Sequence, residues 1–160
     1  MSHWEAPGKS NEWLTPPFVF EALGCQFDTD VASCKAGDHV PAKQRIWAYS
    51  LEASWDAFAF IWMNPPFGGR NALSPWLDKF FDHGDGIALV PDRTSAPWFR
   101  IAWHKTDLAM FTPKIKFLRP DGSRGRSPSN GTALLAVGVQ GVRALVRAEK
   151  AGLGILASPG

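Results

Sequence analysis

The spacing of apolar residues changes several times along the 160 residues, and each change marks an element. After Thr15, which can cap a helix opening at Pro16, the residues Phe18, Val19, Ala22 and Leu23 recur at the spacing of one helical face, and Gly24 ends the run. Phe27 to Ala32 fits a following strand that carries Asp28 and Asp30. Phe58-Ala59-Phe60-Ile61-Trp62-Met63 is apolar throughout, which predicts a strand covered on both faces. A helix capped by Ser74, with Pro75 first, Trp76, Leu77, Phe80 and Phe81 inward and Gly84 at its close, separates it from a second apolar strand, Ile87–Val90. Strand, helix and strand make a βαβ unit and imply parallel pairing. Downstream, the pattern predicts a helix over Thr94–His104, short strands at Asp107–Phe111 and Lys114–Leu118, an apolar strand over Thr132–Val139 and a closing helix over Arg143–Ala151. The class is α/β, with a mostly parallel sheet.

In open sheets of this kind ligands bind beyond the carboxyl ends of the strands. Asp30, Asn64 and Pro91–Thr94 all stand at such ends, so polar chemistry collects on one rim. Its most informative part is Asn64-Pro65-Pro66-Phe67, directly after the apolar run. The two prolines fix φ near −65° and remove two backbone donors, leaving carbonyls as free acceptors. Asn64 adds a side-chain carbonyl and Pro65 a main-chain carbonyl, which together can accept both hydrogens of an NH2 group. Phe67 then offers a stacking face worth about 1–3 kcal/mol to a base. Asn-Pro alone is a common rigid turn. The second proline, the aromatic ring and the buried strand before them favour a site that holds a planar amine for methyl transfer.

Composition narrows the classes without choosing among them. Hydrophobic content of 45% with 20% charged residues suits one globular domain over 1–160, and no apolar run approaches the ~20 residues of a membrane span. No secretory signal is visible at the start, so a cytoplasmic protein is expected. Cys25 and Cys34 are too few for a disulfide framework, and the four histidines lack ligand spacing, so no metal site is expected. The net charge of +2 is small but unevenly spread: Lys114, Lys116, Arg119, Arg124 and Arg126 share a stretch whose only acid is Asp121. These side chains either contact DNA phosphates or keep a loop solvated, and Arg70 and Arg93 offer a second basic path near the rim. Trp55 and Trp98 fit either the core or the lining of a pocket.

Several weak motifs, in order, are more specific than any one of them. Trp13-x-Thr15-Pro16 with Phe20, Phe27-Asp28-Thr29-Asp30-Val31-Ala32, Leu51 with Trp55, Asn64-Pro65-Pro66-Phe67, Leu89-Val90-Pro91 with Thr94 and Trp98-Phe99, Ile115-Lys116-Phe117, and Pro128-Ser129 run from about Trp13 to about Gly138. Together they make the chain look like the small phage-type DNA adenine N6-methyltransferases. The resemblance implies a Rossmann-like methyltransferase fold, with a mostly parallel sheet, an antiparallel edge and helices on both faces. It further implies transfer of a methyl group from S-adenosylmethionine to adenine N6 in DNA, in a phage or prophage protein of a bacterial host. Asn64 matches the amine-binding position, with Pro65 and Pro66 beside it, and Phe67 the stacking position often filled by Tyr. Trp13, Thr15, Pro16, Asp28 and Asp30 match the cofactor side: Thr15 and Pro16 the segment closing over the cofactor's amino-acid end, Asp30 the acid holding its methionine or ribose part. Lys116, Arg119, Arg124, Arg126, Arg70 and Arg93 are the expected nucleic-acid contacts.

Two departures set limits. Val31-Ala32-Ser33-Cys34 stands where a glycine-rich turn is usual, which points to modest cofactor affinity. No spare segment can form a target-recognition domain, so specificity is low or comes from a partner protein or a second copy. Similar Asn-Pro-Pro-aromatic turns serve methyltransferases of guanine N2 in RNA and of protein glutamine. The chain-wide pattern favours adenine in DNA, and a catalytically weak DNA-binding module is the non-enzymatic alternative.

Overall fold

The computed structural model describes residues 13–68, 72–125 and 131–160. Among them, four helices flank a seven-stranded sheet. The strands are β1 (Phe27–Asp30), β2 (Ala42–Arg45), β3 (Ile61–Met63), β4 (Gly86–Pro91), β5 (Leu108–Thr112), β6 (Thr132–Val137) and β7 (Ile155–Ala157), arranged in the order β2-β1-β3-β4-β6-β5-β7. The helices are α1 (Pro17–Leu23), α2 (Ser74–His83), α3 (Pro97–Lys105) and α4 (Val139–Lys150).

Two apolar layers hold the sheet between its helices. One collects Val19, Phe20 and Leu23 of α1 and Ala144, Leu145 and Ala148 of α4 against Phe27, Phe60, Trp62, Ile87 and Leu89. The other packs Leu77 and Phe80 of α2 and Phe99 and Ala102 of α3 against Ile61, Met63, Ala88, Val90 and Leu135. Successive residues of β3 and β4 thus point into opposite layers, which is why these strands read as unbroken apolar runs. Every residue of β6 is buried for the same reason.

The expected mostly parallel sheet needs correction, while the expected antiparallel edge is present in β7. The pairings β1–β2, β1–β3 and β3–β4 are parallel, whereas β4–β6, β5–β6 and β5–β7 are antiparallel, so the sheet is mixed. Of the two reversed strands, β7 stands at the edge, but β6 lies inside the sheet between β4 and β5. A strand buried on both faces carries the same apolar run whichever way it points, so its direction leaves no trace in the pattern. Neither edge strand is located by the apolar pattern: Lys43, Gln44 and Arg45 of β2 are exposed, and β7 is only partly covered. Lys114–Leu118 forms no strand; Leu118 alone bridges to Leu14 and to Arg124.

Helix starts also differ from the expected caps. Pro16 takes the cap position of α1 with φ −68° and ψ 150°, so Thr15 lies one residue outside, and Leu73 rather than Ser74 precedes α2. Neither helix has a side-chain cap. The left-handed C-caps expected at Gly24 and Gly84 are present, with φ of 64° and 82°.

Helix α4 crosses the sheet closely at Gly141, over the backbone of Gly86. A Cβ on Gly141 would lie 2.9 Å from the Gly86 carbonyl oxygen and 3.2 Å from the Ala136 Cβ. Helix propensity alone would favour Gly141→Ala by about 1 kcal/mol. Because the obstacle is backbone, overpacking of about 1–3 kcal/mol should outweigh that gain. Gly141→Ala is therefore expected to lower the urea midpoint of unfolding at an unchanged m value; a raised midpoint would mean that α4 can lift from the sheet without penalty.

Candidate active site

The chain leaves β1 toward β2 on one side and returns to β3 on the other, so the carboxyl ends of β1 and β3 flank the point where strand order reverses. In an open α/β sheet this is where a crevice forms. Asp30 ends β1 and Asn64 follows β3, and the two ends are tied by the bond from the Val31 N–H to the Trp62 carbonyl, 3.0 Å.

Asp30 is 1% exposed. Its Oδ1 accepts from the Ala32 N–H at 3.1 Å, while Oδ2 meets no hydrogen-bond donor. Burial first, and then the neighbouring Asp38 carboxyl, push the Asp30 carboxyl up to about 9; the Ala32 N–H and the Arg45 charge pull the other way without prevailing. With both carboxyls ionised Oδ2 has no donor, whereas a proton on Asp30 can be shared with Asp38. The turn after β1 is braced without a glycine-rich stretch: the Ser33 hydroxyl donates to Asp38 at 3.0 Å, the Val40 N–H to Asp38 at 3.1 Å, and Arg45 to the Ser33 hydroxyl at 3.3 Å and the Cys34 carbonyl at 3.1 Å.

Asp28, two residues earlier, does different work. Its Oδ2 accepts from the Phe60 N–H at 2.8 Å and its Oδ1 lies 3.8 Å from the Lys43 ammonium. The side chain ties β1 to the entry of β3, away from the rim.

Across the crevice, Asn64 is half-buried, Pro65 buried, and Pro66 and Phe67 exposed. Phe67 is 37% exposed, its ring at the surface rather than in the core. The Asn64 side-chain amide donates from Nδ2 to the Thr15 hydroxyl at 3.1 Å, and Thr15 is 3% exposed. Pro16 is buried beside it. Leu14 and Leu118 exchange both backbone bonds, at 2.7 and 2.8 Å, which brings the basic stretch next to the segment carrying Thr15. Sequence reasoning placed Thr15 on the cofactor side and did not foresee its bond to Asn64, because the two are 49 residues apart and meet only through tertiary packing.

The expected basic contacts separate. Arg93, Lys116 and Arg124 are exposed. The Arg119 guanidinium lies 5.6 Å from the Trp13 ring centre and donates to the Arg124 carbonyl and the Ser123 hydroxyl, which closes the turn at Asp121–Ser123. Trp13 is thus a partner of Arg119. Arg70 and Arg126 lie outside the described residues, as do Gly69, Asn71, Pro128 and Ser129. Trp55 packs between His83 and Lys79 and donates to the Ser50 carbonyl, and Trp98 stacks edge-on with Phe99; both rest against the second core layer. Among the described residues, no group of three His, Cys, Asp or Glu can hold a metal ion, and no helix is long and apolar enough to cross a membrane.

A buried acid and a fixed amide thus stand at the reversal of an α/β sheet, with the basic hairpin beside the segment that carries Thr15. The chain belongs to the DNA N-6-adenine-methyltransferase (Dam) family, whose model matches residues 5–144. The family's activity is methylation of adenine N6 in DNA, which decides among the amine substrates that the Asn-Pro-Pro-Phe turn alone leaves open. No curated protein and no solved structure matches the chain.

The protonation of Asp30 has a measurable sign. The folded chain holds this proton more tightly than the unfolded one, where the carboxyl titrates near 3.8. The resulting stabilisation is complete below that value and is lost as pH rises through about 9. Asn cannot ionise, so Asp30→Asn should gain stability on the parent steadily as urea titrations move from about pH 5 to about pH 9. A constant difference across that range would mean that Asp30 is already ionised in the folded protein.

Proposed function

We propose that the crevice between β1 and β3 transfers a methyl group from S-adenosylmethionine to adenine N6, with the chain acting as one Rossmann-like methyltransferase domain. The observation that carries this reading is the pairing of a buried, partly unsatisfied Asp30 with Asn64 at the carboxyl ends of adjacent parallel strands. The unclaimed Asp30 Oδ2 fits a ligand that brings hydroxyl or ammonium donors, and a positive charge beside it would return the carboxyl to its ionised form. S-adenosylmethionine offers both kinds of donor and, when bound, supplies an electrophilic methyl group. Asp30 would hold it, with Thr15 and Pro16 bordering the same strand ends. Without a glycine-rich turn the backbone approaches such a ligand less closely, consistent with modest affinity.

On the substrate side, Asn64 Oδ1 and the Pro65 carbonyl accept the two hydrogens of the adenine amine, which turns the nitrogen lone pair toward the methyl group. Phe67 stacks on the base, and these contacts offset the few kcal/mol needed to take it from the helix. No general base has to act before attack, because the amine becomes strongly acidic once methylated and loses its proton to water beside Asn64. Positioning of this kind can supply about 7–11 kcal/mol of the barrier reduction. Lys116, Arg124 and Arg93 contact the phosphates.

Incubation with labelled cofactor and DNA, RNA or protein, followed by digestion, should yield N6-methyladenine from DNA alone. Label recovered only from RNA or protein would overturn the assignment. Asn64→Ala should lower turnover by about 10²–10³ at saturating substrate, the usual loss for one preorganised polar partner. Replacing Lys116 and Arg124 with Ala should weaken binding alike on all DNA sequences and flatten the salt dependence by about 2 units, close to one per contact. Equal slopes for variant and parent would move the DNA path away from this hairpin.

A further inference from the structure

We infer that Thr15 is a positioning residue for methyl transfer, holding the inner end of the Asn64 amide so that its carbonyl end faces the amine; this rests on the role proposed above for Asn64. An Asn side chain has a donor end and an acceptor end of nearly equal shape, and only the acceptor end can hold an amine's hydrogens. Something must therefore engage Nδ2. The Thr15 hydroxyl does so at 3.1 Å, from a position 3% exposed where water cannot easily take its place.

The hydroxyl is itself fixed from both sides. Before it, Leu14 is locked to Leu118 by two backbone bonds of 2.7 and 2.8 Å. After it, Pro16 and Pro17 permit little backbone freedom, and Val19 and Phe20 anchor α1 in the core. Thr15 thus presents a preorganised acceptor, the condition under which a supporting residue controls the geometry of the group it touches. The same link joins the amide to the basic hairpin through consecutive residues: Trp13 lies against Arg119, Leu14 pairs with Leu118, and Thr15 holds Asn64.

Thr15→Val removes the hydroxyl while keeping the buried shape, and Thr15→Ser keeps the hydroxyl. The expected result is a kcat lower by about 10–100-fold for Thr15→Val, the scale of a small misplacement of a reacting group, a loss well beyond any change in S-adenosylhomocysteine affinity by calorimetry. Thr15→Ser should recover most of the rate. In the Asn64→Ala background, adding Thr15→Val should change kcat by less than about twofold, because both substitutions remove one shared interaction. An unaltered kcat in Thr15→Val, or a loss appearing only as weaker cofactor binding, would overturn the inference while leaving the role of Asn64 intact. An Asn64→Ala variant with near-normal turnover would instead overturn the reading on which it rests. Thermal unfolding of each variant separates both outcomes from loss of the fold.

Discussion

Strands β1 and β3 lie side by side although β2 separates them in sequence, and the chain departs from them in opposite directions. That parallel pairing leaves two strand ends with no connection running across them, so Asp30 and Asn64 can face a common space. The bond from Val31 to the Trp62 carbonyl keeps the ends level, and Trp62, 1% exposed, fixes β3 through edge contacts with Phe20 at 4.8 Å and a tilted contact with Phe27 at 5.5 Å. Rim geometry is thereby inherited from the core.

Two acids in one strand illustrate how position decides chemistry. Asp28 meets a backbone donor and a lysine, so its charge is used within the fold. Asp30 is buried beside a second carboxyl, and the fold limits the cost of burying it by holding its proton up to about pH 9. Carboxyls perturbed in this way concentrate at functional sites. The contrast separates a carboxylate paired on the sheet from one buried at a strand end, though both occupy the same acidic motif in the sequence.

Much of this was legible in the sequence, for a physical reason. The helix face at 76–81, the apolar strands through 61–63 and 86–91, and the helix ends at Gly24 and Gly84 are written in local spacing and in residues with special backbone freedom, whereas Phe18 and Phe58, read as covered, are 50% and 91% exposed and Phe20 takes the inner position on α1. Asp30 and Asn64 were readable because a strand end is a local event. What escaped depends on partners far along the chain. The direction of β6 follows from its neighbours, the polar edge strand β2 exists through its pairing with β1, and the Thr15–Asn64 bond joins segments whose proximity no local pattern announces. Arg119 likewise reads as one cation among several until Trp13 and the Arg124 carbonyl are seen to hold it.

The reversal of β6 has an architectural outcome. Thr112 at the end of β5 pairs directly with Thr132 at the start of β6, and the Asp92 N–H after β4 bonds the Gly131 carbonyl at 3.1 Å. The intervening residues 113–131 therefore leave and re-enter the sheet at one closed seam, beside the crevice. The excursion is not a free loop: Ile115 enters the core layer of α1 and Leu118 is bonded to Leu14, so a change of length close to either would reach the segment that carries Thr15.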